Sequence, residues 1–169
     1  MAGKKVRVLG VDTSLRSTGL GVVQAEGSSL SAVECSNVNV GPRVPLSEAL
    51  FRISDCVKAV IKRRRPDAIA IEGIFYCRNV RTAVKLGEAR GAVIATCAAG
   101  GVPVFEYAPR KVKQAVVGYG SADKEQVRKM LMRMLAIKEE PQEDAGDALA
   151  IAICHLHNVS GSLMLAKPI

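Results

Sequence analysis

Two short apolar runs, each ending in a carboxylate, constrain the fold of this 169-residue chain most strongly. The run from Val6 ends at Asp12, and the run from Ala68 ends at Glu72. Short runs this apolar are typical of strands buried inside a sheet. Between them, residues 45–65 carry apolar side chains at helical spacing. Helices that separate the later strands predict parallel crossovers, and hence an α/β fold with a mixed sheet.

The other segments complete the order βββ-α-β-α-β-α-α-α. Residues 19–25 and 32–40 are β-rich and are joined by short turns, which predicts an antiparallel meander with the first strand. Later segments alternate in type and then become helical. They are a helix over 80–99, a strand over 102–107, and helices over 109–117, 123–135 and 143–157. The expected fold is a five-stranded mixed sheet flanked by helices.

The net charge narrows the class of partner. The chain has 24 Lys and Arg against 16 Asp and Glu, a balance of +8 that favours a polyanion such as nucleic acid or an anionic membrane surface. Neither a signal peptide nor an apolar stretch of the ~20 residues needed for a membrane span is found, so we expect a cytoplasmic protein. Five cysteines without a C-x-x-C pair predict buried free thiols.

A second pair of carboxylates opens the last predicted helix. Asp144 and Asp147 are three residues apart, hence on one helix face, and the apolar run ALAIAIC follows them. If Asp12 and Glu72 lie on neighbouring strands, four carboxylates converge and need cations, for which their oxygens favour Mg²⁺ or Mn²⁺. Taken singly, Asp144 could be a helix cap or dipole partner, Asp12 a turn residue and Glu72 a solvated strand end. The set of four favours a metal site.

Basic charge is concentrated between the two acidic regions. Residues 58–138 contain 17 Lys and Arg and 6 Asp and Glu, whereas residues 139–147 contain five acids and no base. A basic surface beside an acidic pocket suits cleavage of a phosphodiester backbone. The basic run 62–65 could equally be a solvated helix end. Phe75 and Tyr76 could stack on a base or plug the core, and His155 and His157 are expected to be structural rather than metal ligands.

Three blocks of the sequence together resemble the RuvC family of bacterial Holliday-junction resolvases. They are LGVDTSLRSTGLGVV, the long segment from AIAIEGIFYCRNVRTAVKLGEARG to VKQAVVGYGSADKEQV, and PQEDAGDALAIAICHLH. The resemblance spans residues 6–157 and implies a ribonuclease-H-like fold. It further implies a homodimer that nicks two opposed strands of a four-way DNA junction, with two Mg²⁺ ions per active site and Mn²⁺ able to substitute. The branch-migration complex RuvA–RuvB is an implied partner.

The same resemblance implies roles for individual residues. The four acidic metal ligands fall on Asp12, Glu72, Asp144 and Asp147, and two catalytic lysines fall on Lys113 and Lys124. The aromatic residue at the junction centre falls on Phe75, and the dimer helix begins near Val80. The residues expected to contact DNA are Phe75, Arg78, Arg81, Arg110, Lys111, Lys113, Lys124 and Arg128.

Two features depart from the family pattern. Thr13-Ser14 stands where the family usually has Pro-Gly after the first aspartate. Residues 158–169 have no counterpart in that pattern, so we expect one nuclease domain over 1–157 followed by a mobile tail.

Other functions remain open at this stage. One is a nuclease of the same fold that cuts RNA–DNA hybrids or pre-ribosomal RNA, and another is a nucleic-acid-binding module without catalysis. An actin-like ATPase is set aside, because that architecture repeats the fold in two domains and this chain holds only one.

Overall fold

The computed structural model describes residues 5–74, 79–160 and 167–169. Five strands and five helices occur there in the predicted order. In chain order they are β1 (Lys5–Asp12), β2 (Ser17–Glu26), β3 (Ser29–Asn39), α1 (Leu46–Arg64), β4 (Ala68–Glu72), α2 (Val80–Ala99), β5 (Val104–Tyr107), α3 (Pro109–Val117), α4 (Lys124–Met134) and α5 (Glu143–Ser160).

The five strands form one mixed sheet in the order β3-β2-β1-β4-β5. The first three strands are antiparallel neighbours, as the predicted meander requires. β1 pairs in parallel with β4, to which it is connected through β2, β3 and α1, and β4 pairs in parallel with β5, to which it is connected through α2. Val11 lies opposite Ile71, so the next residues, Asp12 and Glu72, end adjacent strands. The predicted α/β fold with a five-stranded mixed sheet is confirmed.

Helices cover both faces of the sheet. On β1, Leu9 and Val11 belong to a buried cluster with α1 and α2, whereas Val8 belongs to a cluster with α3, α4 and α5. Successive side chains in a strand point to opposite faces. Gly10 and Asp12 therefore lie on the same face as Val8, the face that α5 covers.

Glycines on β1 and β2 let α5 lie directly against the sheet backbone. A Cβ on Gly10 would sit 1.8 Å from the Ala148 carbonyl oxygen, and one on Gly19 would sit 1.9 Å from the Asp144 carbonyl oxygen. Real Cβ atoms do not approach backbone so closely. Only glycine fits at these positions, and their spacing sets the height of α5 above the strands.

Two local predictions need correction. Cys97 and Cys154 are buried free thiols as expected, but Cys56 is only half-buried, and Cys35 is exposed on the edge strand β3, which has a neighbour on one side only. Cys77 is outside the described residues.

The last helix is longer than predicted. α5 continues to Ser160, three residues beyond the predicted end of the nuclease domain. At the other end, the backbone N–H of Ile169 donates to the carbonyl oxygen of Val104, 2.9 Å away on the edge strand β5. The division into one domain and a tail stays a prediction.

Among the described helices, none is long and apolar enough to span a lipid bilayer.

We expect Gly10→Ala to destabilise the protein by about 1–3 kcal/mol, because the added methyl overlaps the backbone of α5 and the helix must shift. Urea unfolding measures the free energy. The matched control is Gly41→Ala, where the nearest heavy atom to the new methyl would lie 3.9 Å away. Equal stability of the two variants would contradict the close helix–sheet contact.

Candidate active site

The four predicted carboxylates line one cavity. Asp12, Glu72, Asp144 and Asp147 border a space of about 370 Å³ at the carboxyl ends of β1 and β4. The cavity is completed by side chains of α3, α4 and α5, including the two predicted lysines. Its lining residues are Asp12, Glu72, Pro109, Val112, Lys113, Lys124, Val127, Asp144, Asp147, Ala150 and Ile151. Residues that are 135 positions apart in sequence thus share one site.

Local structure explains why each carboxylate reaches the cavity. Asp12 and Glu72 end neighbouring parallel strands, and both lie on the face covered by α5. Asp144 and Asp147 occupy the first two turns of α5. The contact between Gly19 and the backbone of Asp144 brings this helix end against β2, whose Gly19 is paired with Asp12.

Burial and mutual repulsion perturb the acidic groups. Burial, followed by the charges of Asp147, Glu72 and Asp144, raises the pKa of Asp12 from 3.8 to about 7. Burial and the charge of Asp147 raise the pKa of Glu72, although Lys113 and Lys124 oppose this shift. Burial likewise raises the pKa of Asp147. The cavity therefore carries more negative charge than its surroundings stabilise, and a bound cation would relieve the excess.

Asp144 is held differently from the other three. Its Oδ2 accepts a short hydrogen bond from the Ser17 hydroxyl and a second, 3.2 Å long, from the Asn37 amide Nδ2. The carboxylate lies in the first turn of α5, where the helix dipole favours negative charge. Its hydrogen bonds, however, reach across to β2 and β3, so Asp144 is more than a capping residue.

The donor set suits a hard divalent cation, since carboxylate oxygens are the ligands that Mg²⁺ and Mn²⁺ prefer. In the described parts of the chain, however, no three Asp, Glu, His or Cys side chains are arranged to hold one metal ion. The carboxylates share the cavity without surrounding a common point. Their chemistry and charge nevertheless fit a metal site.

The departure at Thr13-Ser14 leaves a hydrogen-bonded turn after Asp12. The Thr18 hydroxyl donates to the Ser14 carbonyl oxygen and accepts from the Ser14 backbone N–H at 3.3 Å. Thr13 and Thr18 are both buried. Side-chain hydrogen bonds therefore close the turn that the family usually builds with Pro-Gly.

Lys124 and Lys113 line the cavity together with the acidic groups. Lys124 forms an ion pair with Glu143 at the rim of the cavity, and the hydrogen bond to Glu143 raises the pKa of the lysine. Lys113 lies on α3, and its charge acts on Glu72 and Asp147. Both positions allow an ammonium group to face a phosphate placed over the carboxylates.

Comparison with known proteins agrees with this site. Residues 8–155 match the family model described as crossover junction endodeoxyribonuclease RuvC. Among curated relatives of that name, the protein of Marinobacter nauticus is 44% identical over 95% of this chain and 91% of its own length. The protein of Pelobacter propionicus is 45% identical over 90% and 87%. The chain belongs to the RuvC family.

Solved structures support the same assignment. The chain is similar to Thermus thermophilus RuvC in complex with a Holliday junction substrate, with a TM-score of 0.91 and 37% identity over 97% of this chain and 99% of that one. The yeast mitochondrial Holliday junction resolvase Ydc2 matches at 15% identity with a TM-score of 0.65, which shows a shared fold alone. The predicted ribonuclease-H-like fold is confirmed, and the RuvC family is one of metal-dependent nucleases.

The remaining predicted DNA contacts in the described residues lie on three different helices. Arg81 is exposed on α2, and Arg110 is exposed on α3. Lys111 lies with its Nζ 5.5 Å from the ring centre of Tyr107. Arg128 pairs with Glu140 beside a second cavity between α4 and α5. Phe75, Tyr76 and Arg78 lie outside the described residues, so their roles stay predictions.

The basic run at the end of α1 is structural in part. Arg63 and Arg64 both form ion pairs with Glu34 on β3. These contacts favour the interpretation as a helix end over that of a phosphate contact.

Sequence reasoning missed the polar residues behind Asp144. Ser17 and Gly19 share one face of β2, and Asn37 is the strand partner of Gly19 on β3. All three therefore face α5. The two-residue spacing of Ser17, Gly19 and Gly21 was the available signal, since glycines that alternate on one strand face indicate close contact with another backbone. No comparable signal marks Asn37.

The histidines are structural, as predicted. His155 is buried, its Nδ1 lies 2.8 Å from the Tyr107 hydroxyl, and its ring packs on Phe105. His157 has its Nδ1 2.9 Å from the Ala115 carbonyl oxygen. Burial lowers the pKa of His155 to about 4.

This shift predicts an acid-sensitive contribution to stability. Because the pKa of His155 is lower folded than unfolded, its contribution is complete above pH 6.5 and is lost as the pH falls towards 4. The full loss amounts to about 3 kcal/mol. Urea unfolding between pH 7 and pH 4 should therefore show a smaller acid-induced loss for His155→Asn than for wild type. If the free energy of unfolding fell equally with pH in wild type and His155→Asn, the imidazole would not be buried in its neutral form.

Proposed function

We propose that this protein resolves four-way DNA junctions by metal-dependent hydrolysis, through paired nicks in two opposed strands. The observation that carries this proposal is the single cavity bordered by four carboxylates and two lysines in a member of the RuvC family. The similar Thermus thermophilus RuvC was solved in complex with a Holliday junction substrate, which supports the same substrate class here. The expected products carry a 5′-phosphate and a 3′-hydroxyl.

The metal site is proposed to take two Mg²⁺ ions, with Mn²⁺ able to substitute. Asp12, Glu72, Asp144 and Asp147 would hold the ions, with Asp12 central to the set. Two such ions, when bound, activate water and stabilise the leaving oxygen of a phosphodiester. The central place of Asp12 agrees with its electrostatics, since the charges of the other three carboxylates all act on it.

The basic residues are proposed to hold the DNA. Lys113 and Lys124 stand over the cavity, where they would neutralise the scissile phosphate. The wider set of proposed contacts comprises Phe75, Arg78, Arg81, Arg110, Lys111 and Arg128. Affinity from such contacts falls as salt rises.

We further propose a cytoplasmic location and a functional interaction with the branch-migration complex RuvA–RuvB.

A homodimer is proposed through α2. Val80 and Val84 are 77% and 54% exposed near the start of this helix, a large exposure for apolar side chains. Gly87 and Gly91 continue the same stripe at helical spacing, and a Cβ at either would meet nothing within 4 Å. A second copy of α2 packed on this stripe would bury the valines and approach closely at the glycines.

We expect Val84→Asp to convert a dimer into monomers, because the charge would be buried without a partner at the interface. Sedimentation velocity measures the mass in solution. Tyr119→Asp is the control, since Tyr119 is 45% exposed and lies on the other side of the sheet. A monomeric wild type, or a Val84→Asp variant that stays dimeric, would contradict an α2 interface.

Junction cleavage tests the proposed activity. With Mg²⁺, wild type should nick a four-way junction, and Asp147→Asn should lower the rate by about 100-fold or more, the scale on which one electrostatic stabiliser acts. The matched control is Asp55→Asn, an exposed position on α1 that should keep the wild-type rate. An Asp147→Asn variant that cuts as fast as wild type would refute the metal assignment.

Substrate comparison separates the alternatives. The same assay run on a four-way junction, a linear duplex and an RNA–DNA hybrid should show a clear preference for the junction. A faster rate on the hybrid would favour an RNA-processing nuclease. Tight junction binding without nicking would favour a binding module.

A further inference from the structure

Two polar side chains of the sheet are in contact with Asp144 from behind the cavity. Ser17 on β2 donates its hydroxyl to Asp144 Oδ2, and Asn37 on β3 donates its Nδ2 to the same oxygen at 3.2 Å. The Asn37 amide also donates to the Ser17 Oγ at 3.1 Å. The three side chains are thus hydrogen-bonded to one another, and the Ser17 Oγ also lies 3.2 Å from Asn39 Oδ1.

The orientation of Asn37 is explained by the carboxylate rather than by the fold. Within the described residues, its Oδ1 is buried and has no hydrogen-bond partner. Burying an unpaired carbonyl oxygen costs free energy. The opposite orientation of the amide would set its oxygen against Asp144 Oδ2, acceptor against acceptor. The amide therefore keeps its donor on Asp144 at the cost of an unpaired oxygen.

Both hydrogen bonds fall on one oxygen of the carboxylate. Among the described residues, no side chain or backbone group donates a hydrogen bond to Asp144 Oδ1. Asp144 also borders the acidic cavity. Two donors on Oδ2 fix the carboxylate plane and leave Oδ1 available for a ligand. Metal-bound carboxylates commonly depend on such outer hydrogen bonds for their orientation.

We infer that Ser17 and Asn37 are positioning residues that orient the Asp144 carboxylate to bind a divalent cation. This inference rests on the proposed metal-dependent function. It gives Ser17 and Asn37 a role in metal affinity that acts through the Asp144 carboxylate. The arrangement of the carboxylates makes the role important, because they share the cavity without yet surrounding a common point.

Binding of Mn²⁺ to the DNA-free full-length protein tests the inference by isothermal titration calorimetry. Ser17→Ala and Asn37→Ala should each weaken the Mn²⁺ affinity by about 10–100-fold, the usual effect of losing an outer hydrogen bond to a metal ligand. Ser17→Thr should bind like wild type, since it keeps the hydroxyl. Asn39→Ala is the matched control, because Asn39 lies on the same strand and contacts Ser17 but not Asp144.

Two further readouts separate positioning from a structural role. The Mn²⁺ concentration for half-maximal junction cleavage should rise in the alanine variants, while the rate at saturating Mn²⁺ stays near that of wild type. Metal-free Asn37→Ala should melt close to wild type, because the substitution removes the buried unpaired oxygen together with the two hydrogen bonds that the amide donates. A lower melting temperature with unchanged Mn²⁺ affinity would show a structural role and overturn the inference.

The outcomes distinguish this inference from the proposed function. If wild type binds Mn²⁺ and cuts junctions, and both alanine variants bind Mn²⁺ equally well, positioning is wrong and the function stands. If wild type neither binds Mn²⁺ nor cuts junctions, the proposed function is wrong and the inference falls with it.

Discussion

The direct contact between the backbone of α5 and the strands β1 and β2 is the constraint on which the site depends. Gly10 and Gly19 leave no room for any side chain between helix and sheet. The first turns of α5 are thereby held against the strand that ends at Asp12. A helix displaced by one methyl group would move two carboxylates away from the other two. The close packing of α5 on the sheet thus also sets the position of the two carboxylates on this helix.

Much of this arrangement could be predicted from the sequence, because strands and helices each leave a recognisable residue pattern. The apolar runs before Asp12 and Glu72 identify buried strands, and the three-residue spacing of Asp144 and Asp147 identifies one helix face. The contacts of Ser17 and Asn37 could not be predicted, since they depend on the strand register that pairs Asn37 with Gly19. Exposure of Cys35 likewise depends on β3 being an edge strand, which sequence order alone does not establish.

The site combines two kinds of carboxylate. Asp12, Glu72 and Asp147 are raised in pKa by burial and repulsion, so their ionised forms need a cation. Asp144 instead receives two hydrogen bonds from the sheet. Hydrogen bonds from the sheet therefore orient one carboxylate, while burial and neighbouring charges act on the other three.

The ion pairs at the cavity rim bear on how DNA would compete for the basic residues. Lys124 is paired with Glu143, and Arg128 is paired with Glu140. A phosphate that contacts either cation must displace the carboxylate that is already paired with it. That exchange contributes less counterion release than the number of basic contacts implies. The salt dependence of binding should consequently be shallower than the number of lysines and arginines in contact with DNA would predict.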